Sequence, residues 1–118
     1  MVASEQSQAP LGPHLFEILL VLADGSAHGY GIVGAIRERT GSRVVLSTST
    51  LYRGIERLLA RGLIAEADGN AEDSSGGPPR KYYRLTSIGR SAAEQEARRL
   101  REVAAAAEAR FLAPRSSR

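Results

Sequence analysis

The stretch Ser47-Thr48-Ser49-Thr50-Leu51-Tyr52-Arg53-Gly54-Ile55-Glu56-Arg57-Leu58-Leu59-Ala60-Arg61-Gly62 decides the reading of this chain. Its first four residues are helix-capping types. A short side-chain oxygen accepts a hydrogen bond from a backbone N–H that the first turn leaves unpaired. Leu51, Ile55, Leu58 and Leu59 then fall at i, i+4, i+7 and i+8, one apolar face of a helix. Arg53, Arg57 and Arg61 recur every four residues on another face. Gly62 supplies the stop. One helix therefore offers a packed side and an arginine ridge.

Upstream, residues 43–46 are short and centred on the β-branched Val44 and Val45, which suits an edge strand. Residues 28–40 read as a helix ended by Gly41, with Tyr30, Ile32, Val33 and Ile36 expected to face the core. Residues 15–23 are an apolar helix opened by Pro13 and stopped by Asp24-Gly25. Residues 1–12 have little to pack and are expected to form a flexible N-terminal arm.

Downstream, residues 63–68 alternate as a strand does, and 69–79 form a loop of Gly, Asn, Ser, Asp and Pro. Residues 80–85 return as a second strand, with Tyr83 and Leu85 inward and Tyr82 and Arg84 outward. Thr86 caps a last helix over 87–113. Its Leu100, Val103, Ala104, Ala107 and Phe111 follow a 3-4 spacing. So thin a stripe, at the end of a small domain, is suited to packing on a second subunit. Residues 114–118 are expected to be a loose tail.

The 118 residues are enough for one domain. With 42% apolar and 25% charged residues the composition is that of a globular protein. Cysteine is absent, which excludes disulfides, thiolate zinc sites and cysteine nucleophiles. The net charge of +3 is modest, but its placement is uneven. The first positive side chain is Arg37. From there to Arg61 six arginines (37, 39, 43, 53, 57, 61) face only Glu38 and Glu56. Such a local field attracts polyanions. The apolar run at 15–23 carries Glu17 and is shorter than the ~20 residues of a membrane span. With no basic N-terminal region, a secretory signal is not expected either. The expectation is a soluble, cytoplasmic protein without a membrane partner.

The order helix, helix, short strand, helix, hairpin, helix is mainly α with a small β-hairpin. It is that of a winged helix-turn-helix over 13–86, followed by a C-terminal dimerisation helix. In that architecture the third helix enters the DNA major groove and the hairpin tip lies along the backbone or minor groove. The arginine ridge falls on that third helix, so charge and fold agree.

Several pieces of the chain also resemble a known family. Ile18-Leu19-Leu20-Val21-Leu22 leads to His28-Gly29-Tyr30-Gly31-Ile32. Leu46-Ser47, Thr50-Leu51-Tyr52 and Gly62-Leu63-Ile64 follow. Then come Gly76-Gly77-Pro78-Pro79-Arg80-Lys81-Tyr82-Tyr83-Arg84-Leu85-Thr86 and Gly89-Arg90. Together they resemble the PadR family of bacterial transcriptional regulators, in its smaller subgroup with a single short C-terminal helix. The resemblance implies a homodimer joined through that helix. It also implies binding to an inverted-repeat operator in double-stranded DNA, usually as a repressor. Many members are released by a small, often aromatic effector. Two departures stand out. Thr48 and Ser49 replace a Pro-Gly common in the family, and Arg53 replaces a Pro, so the operator sequence does not carry over from relatives. The chain has no Trp, which puts in doubt the stacked planar drug that some relatives bind.

The candidate DNA-binding residues are Thr48, Ser49, Thr50, Tyr52, Arg53, Arg57, Arg80 and Lys81. Hydroxyls contact phosphates or base edges, though they also cap helices. Arginines grip guanine or phosphate. Arg61, at the helix end, also suits the dipole. Tyr52 is expected to be mostly core, reaching phosphate through its hydroxyl. Arg80 and Lys81 follow the wing tip, where Asp68, Glu72 and Asp73 offset their charge. The candidate dimer interface is Leu100, Val103, Ala104, Ala107 and Phe111.

Enzyme readings fare badly. Gly29-Tyr30-Gly31-Ile32-Val33-Gly34 matches a dinucleotide fingerprint. It lacks a strand feeding straight into the glycines and an acid closing the next strand. His14 and His28 are the only histidines, and His28 suits capping or packing. No metal, cofactor or catalytic group is expected. The rival that the sequence leaves open is a winged-helix module that binds protein rather than DNA.

Overall fold

The computed structural model describes residues 10–68 and 80–114. Helix α1 (Pro13–Ala23) starts with proline in its first turn, where a missing N–H removes no helical bond. It buries Ile18, Leu19 and Leu22. A two-residue strand β1 (Ala27–His28) leads into α2 (Gly29–Arg39), which buries Ile32 and Ile36. Helix α3 (Thr48–Ala60) buries Leu51, Ile55 and Leu58. It ends in a glycine-dependent stop. Gly62 takes φ +74°, and the N–H groups of Gly62 and Leu63 bond the carbonyls of Leu59 and Leu58.

Strands β2 (Ile64–Ala67) and β3 (Tyr82–Leu85) then pair antiparallel, with Ile64 opposite Leu85 and Glu66 opposite Tyr83. The sheet order is β1-β3-β2, so β3 is central. Tyr83 is buried and Arg84 is exposed, as the period of a strand requires. Helix α4 (Ser87–Ala107) runs on into a π-helical turn (Glu108–Leu112). Thr86 locks its start to the wing. The Thr86 hydroxyl accepts from Gly89 N–H at 3.0 Å and donates to the Gly62 carbonyl at 2.7 Å, while Thr86 N–H bonds the Leu63 carbonyl.

One hydrophobic core joins α1, α2, α3, the sheet and the first turns of α4. Full burial of each large apolar side chain there is worth roughly 1.5–3 kcal/mol. Beyond Glu96, α4 leaves the core and all but one of its residues are exposed. The radius of gyration is accordingly 17.3 Å, against ~13.5 Å for a compact chain of this length.

The structure corrects four expectations. The third strand is Ala27–His28, not residues 43–46. The Thr40 hydroxyl accepts the N–H of Val44, and Leu46 anchors this extended connector by burial instead of by a strand partner. Tyr30 is 80% exposed. It lies two residues before Ile32, about 200° around the helix, so the two cannot share a face. The flexible arm cannot reach residue 12, because Leu11 is buried and its N–H bonds Glu96. Tyr52 is 45% exposed rather than mostly core. Its ring lies across Gly29, where a Cβ would meet the Tyr52 hydroxyl. Residues 1–9, the loop at 69–79 and the tail at 115–118 lie outside the described residues.

Candidate nucleic-acid interface

Helix α3 carries the site. Ser47 caps it, its Oγ accepting from Thr50 N–H at 3.1 Å. Ser47 Oγ also donates to Thr50 Oγ1 at 2.9 Å. The cap thus falls on Ser47, which leaves Thr48 and Ser49 exposed and Thr50 half-buried. Leu51, Ile55 and Leu58 fix the inner face, so Ser49, Tyr52, Arg53, Glu56 and Arg57 must point outward.

Two depressions flank this outward ridge. On one side Thr50, Arg53 and Arg57 share a 370 Å³ groove with Pro13, His14 and Leu15 at the start of α1. On the other, Thr48, Leu51 and Tyr52 share a 130 Å³ crevice with Tyr30 and Val33 of α2. The ridge therefore runs between two depressions on a surface built from three helix segments.

The arginine-rich stretch does not act as one field. Arg39 pairs with Glu17, tying α2 to α1. Arg37 bonds Ser42 at 3.4 Å. Arg61 sits at the C-cap of α3. Arg53 and Arg57 have no carboxylate partner among the described residues, and they face solvent. Arg43, in the connector before α3, is also exposed, so on the α3 ridge itself Arg53 and Arg57 are the charges turned to an anion.

At the wing root, Arg80 lies over the Tyr30 ring, 5.8 Å from its centroid, and its Nη1 is 3.2 Å from His28 Nε2. Lys81 stands 3.8 Å from Glu66, both largely exposed, a pair that contributes little in water. The structure thus divides the candidate residues into an α3 group and a wing group. Tyr30, reaching from its crevice with Thr48 and Tyr52 to Arg80, is the link. Sequence reasoning assigned Tyr30 to the core and gave no DNA-facing role to His28. The cap spacing of His28 to Gly31 was legible. The meeting with Arg80, 52 residues on, was not.

Among the described residues three ionisable groups depart from ordinary behaviour: Tyr83, Glu96 and Arg99, whose guanidinium is raised by its hydrogen bonds to Glu96. Burial, with Tyr52 and Glu66 nearby, raises the Tyr83 phenol, so it stays protonated in the core. Hydrogen bonds from Arg99 hold the Glu96 carboxyl below the usual range, against the opposing effect of burial and with help from Leu11 N–H. Glu96 is 4% exposed. Its oxygens accept from Arg99 at 3.1 and 2.5 Å and from Leu11 N–H at 3.3 Å. This network clasps the chain entering α1 to α4. It borders a 400 Å³ cavity that also includes Phe16, Leu20 and Leu100. Among the described residues no group of acids and histidines is placed to hold a metal, and no helix is long and apolar enough to cross a membrane.

A three-stranded wing beside a helix-turn-helix, with a solvent-facing cationic third helix, defines a winged-helix protein of the type built to meet a polyanion. Residues 18–95 match the transcriptional regulator PadR-like family, and the chain belongs to that family, whose members are transcriptional regulators rather than enzymes. A PadR family transcription regulator from Clostridium difficile R20291 is 32% identical. It superposes with a TM-score of 0.71 over 86% of this chain and 100% of its own. An uncharacterized protein of Lysinibacillus sphaericus is 34% identical over 79 residues, 66% of this chain and 70% of its own length. Bacillus subtilis PadR, solved in complex with operator DNA, shares the fold at 23% identity. Its TM-score is 0.58 over 69% of this chain and 44% of its own.

Proposed function

We propose that this chain binds a specific operator in double-stranded DNA as a homodimeric transcriptional repressor. The observation that carries the reading is the α3 ridge. Among the described residues Arg53 and Arg57 have no carboxylate partner, and they project beside the exposed hydroxyls of Thr48 and Ser49 on a helix whose other face is locked in the core. Hydroxyls and guanidinium groups are the side chains that contact phosphates and base edges. Lys81 and Arg80 extend the cationic surface to the wing.

The dimer would form along α4. Leu100, Val103, Ala104 and Phe111 are exposed in the single chain, and only Ala107 is partly covered. Their 3-4 spacing is that of a helix-pairing seam. Two copies would present two α3 helices to an inverted repeat, with half-sites about 34 Å apart or a multiple of that. A small aromatic effector would release the operator only by binding better to the dimer arrangement that fits DNA poorly. The cytoplasm is where such a protein would meet its DNA.

A gel shift against the DNA upstream of its own gene, with competitor DNA present, tests this reading. A saturable shift that survives competitor supports it. Binding abolished by competitor favours a winged-helix module whose partner is a protein.

A further inference from the structure

His28 faces two donors and has one lone pair to offer. Its Nδ1 accepts from Gly31 N–H at 3.1 Å, capping α2. That nitrogen therefore carries no proton, and the neutral imidazole bears its single N–H at Nε2. Nε2 lies 3.2 Å from Nη1 of Arg80. A guanidinium has five N–H donors and no acceptor. The contact thus brings two N–H groups together with no acceptor between them. The other tautomer would satisfy Arg80, but it would turn Nδ1–H against Gly31 N–H and uncap the helix. No protonation state of His28 serves both neighbours.

Both groups are nonetheless held in place. Tyr82 meets the imidazole edge-on, with centroids 5.2 Å apart and planes at 89°. The Tyr30 ring supports the guanidinium. Strand pairing sets His28 opposite Tyr82, so the sheet itself fixes the spacing. His28 is half-buried and Arg80 is exposed, and the Tyr30 ring beneath the guanidinium also lines the crevice with Thr48 and Tyr52. Among the described residues no carboxylate reaches Arg80.

We infer that His28 Nε2–H and the Arg80 guanidinium converge on a single phosphate oxygen of the DNA backbone, a two-donor clamp at the wing root. The inference rests on the DNA-binding reading above. A phosphodiester oxygen accepts more than one N–H and brings the negative charge that Arg80 lacks, so it resolves the donor conflict as no uncharged neighbour does. Arg80 supplies charge and His28 supplies direction. Such a contact sets the register of the wing without reading sequence.

The test has two arms. Long-range 1H–15N correlation spectra of the full chain report the His28 tautomer without DNA. The clamp requires the Nε2–H form, and the Nδ1–H form overturns it. The second arm is fluorescence anisotropy with a labelled mixed-sequence duplex over a range of salt. His28→Asn keeps a good N-cap but removes the Nε2 donor. It should weaken binding about tenfold with the salt slope unchanged, because a neutral donor displaces no counterion. Arg80→Gln should reduce the slope by about 0.9. The double variant should lose less than the two single losses combined, because both donors share one oxygen. If inorganic phosphate at millimolar concentration shifts the His28 signal as the duplex does, the site takes free phosphate and the DNA assignment fails. If Arg53→Ala weakens binding while His28→Asn and Arg80→Gln both stay within about twofold of the parent, the DNA reading stands and the clamp is refuted. No salt-dependent duplex binding by the parent chain overturns both.

Discussion

Gly89 is where α4 crosses the wing, and replacing it with alanine should be severe. A Cβ at Gly89 would lie 1.9 Å from the Leu63 carbonyl oxygen, 2.8 Å from its carbon and 2.9 Å from Leu85 Cδ1. The carbonyl cannot turn away freely. It accepts from Thr86 N–H at 3.1 Å, and Leu63 N–H is itself bonded to Leu58. Helix and strand must therefore separate by about 1.1 Å merely to bring the oxygen contact to 3.0 Å. Overpacking of this kind costs roughly 1–3 kcal/mol. Stretching the Thr86 bonds until a buried donor is left unpaired costs about 1–3 kcal/mol more. Alanine returns about 1 kcal/mol through helix propensity. The expected net loss is about 1–5 kcal/mol, or roughly 4–20 °C in Tm for a domain of this size. Thermal unfolding followed by circular dichroism at fixed protein concentration reads it. Gly34→Ala is the control, since a Cβ there meets nothing within 4 Å on an exposed part of α2. It should gain about 0.5–1 kcal/mol. A Gly89→Ala protein melting at or above the parent's temperature, when a fall of at least about 4 °C is expected, would refute the close-approach argument.

Other expectations follow from the same coordinates. Ile36→Ala should destabilise by about 2–5 kcal/mol. Tyr30→Ala should change stability by less than about 0.5 kcal/mol, the pair being compared by urea unfolding. Because the folded-state pKa of Glu96 is depressed, its contribution is present above the unfolded carboxylate value and is lost as pH falls through the folded one. Glu96→Gln should therefore flatten the loss of stability below about pH 5 in a series of urea titrations. On the α4 seam, Val103→Asp should leave circular dichroism unchanged and convert a dimer to a monomer in sedimentation. A persistent dimer would move the interface elsewhere.

The helices were legible because their signals are local. Ser47 and Thr86 cap, Gly62 stops, and the 3.6-residue period of Leu51, Ile55 and Leu58 selects one buried face. The β1 strand was not legible, because two residues carry no period, and Ala27-His28 becomes a strand only through Tyr82 and Tyr83 of β3. Val44 and Val45 have the composition of a strand, but among the described residues no strand pairs with their backbone. Tyr30 shows the limit of composition in another way. An aromatic beside Ile32 suggests core, yet its angular position places it outside. For the site, the ridge could be read from spacing alone. The separation of Arg39 and Arg37 from that ridge, and the Glu96 clasp on Leu11, depend on contacts between residues 22, 5 and 85 positions apart.

The most direct test of the central claim is the salt dependence of duplex binding by the parent chain and by the Arg53→Ala, Arg57→Ala double variant. The account predicts a linear fall of log K with log salt in the parent. The double variant, still folded, should bind more weakly with a slope shallower by about 1.8, since two phosphate contacts at about 0.9 each are lost. The same affinity and slope in both proteins would mean that α3 does not face the DNA, and the account would fail.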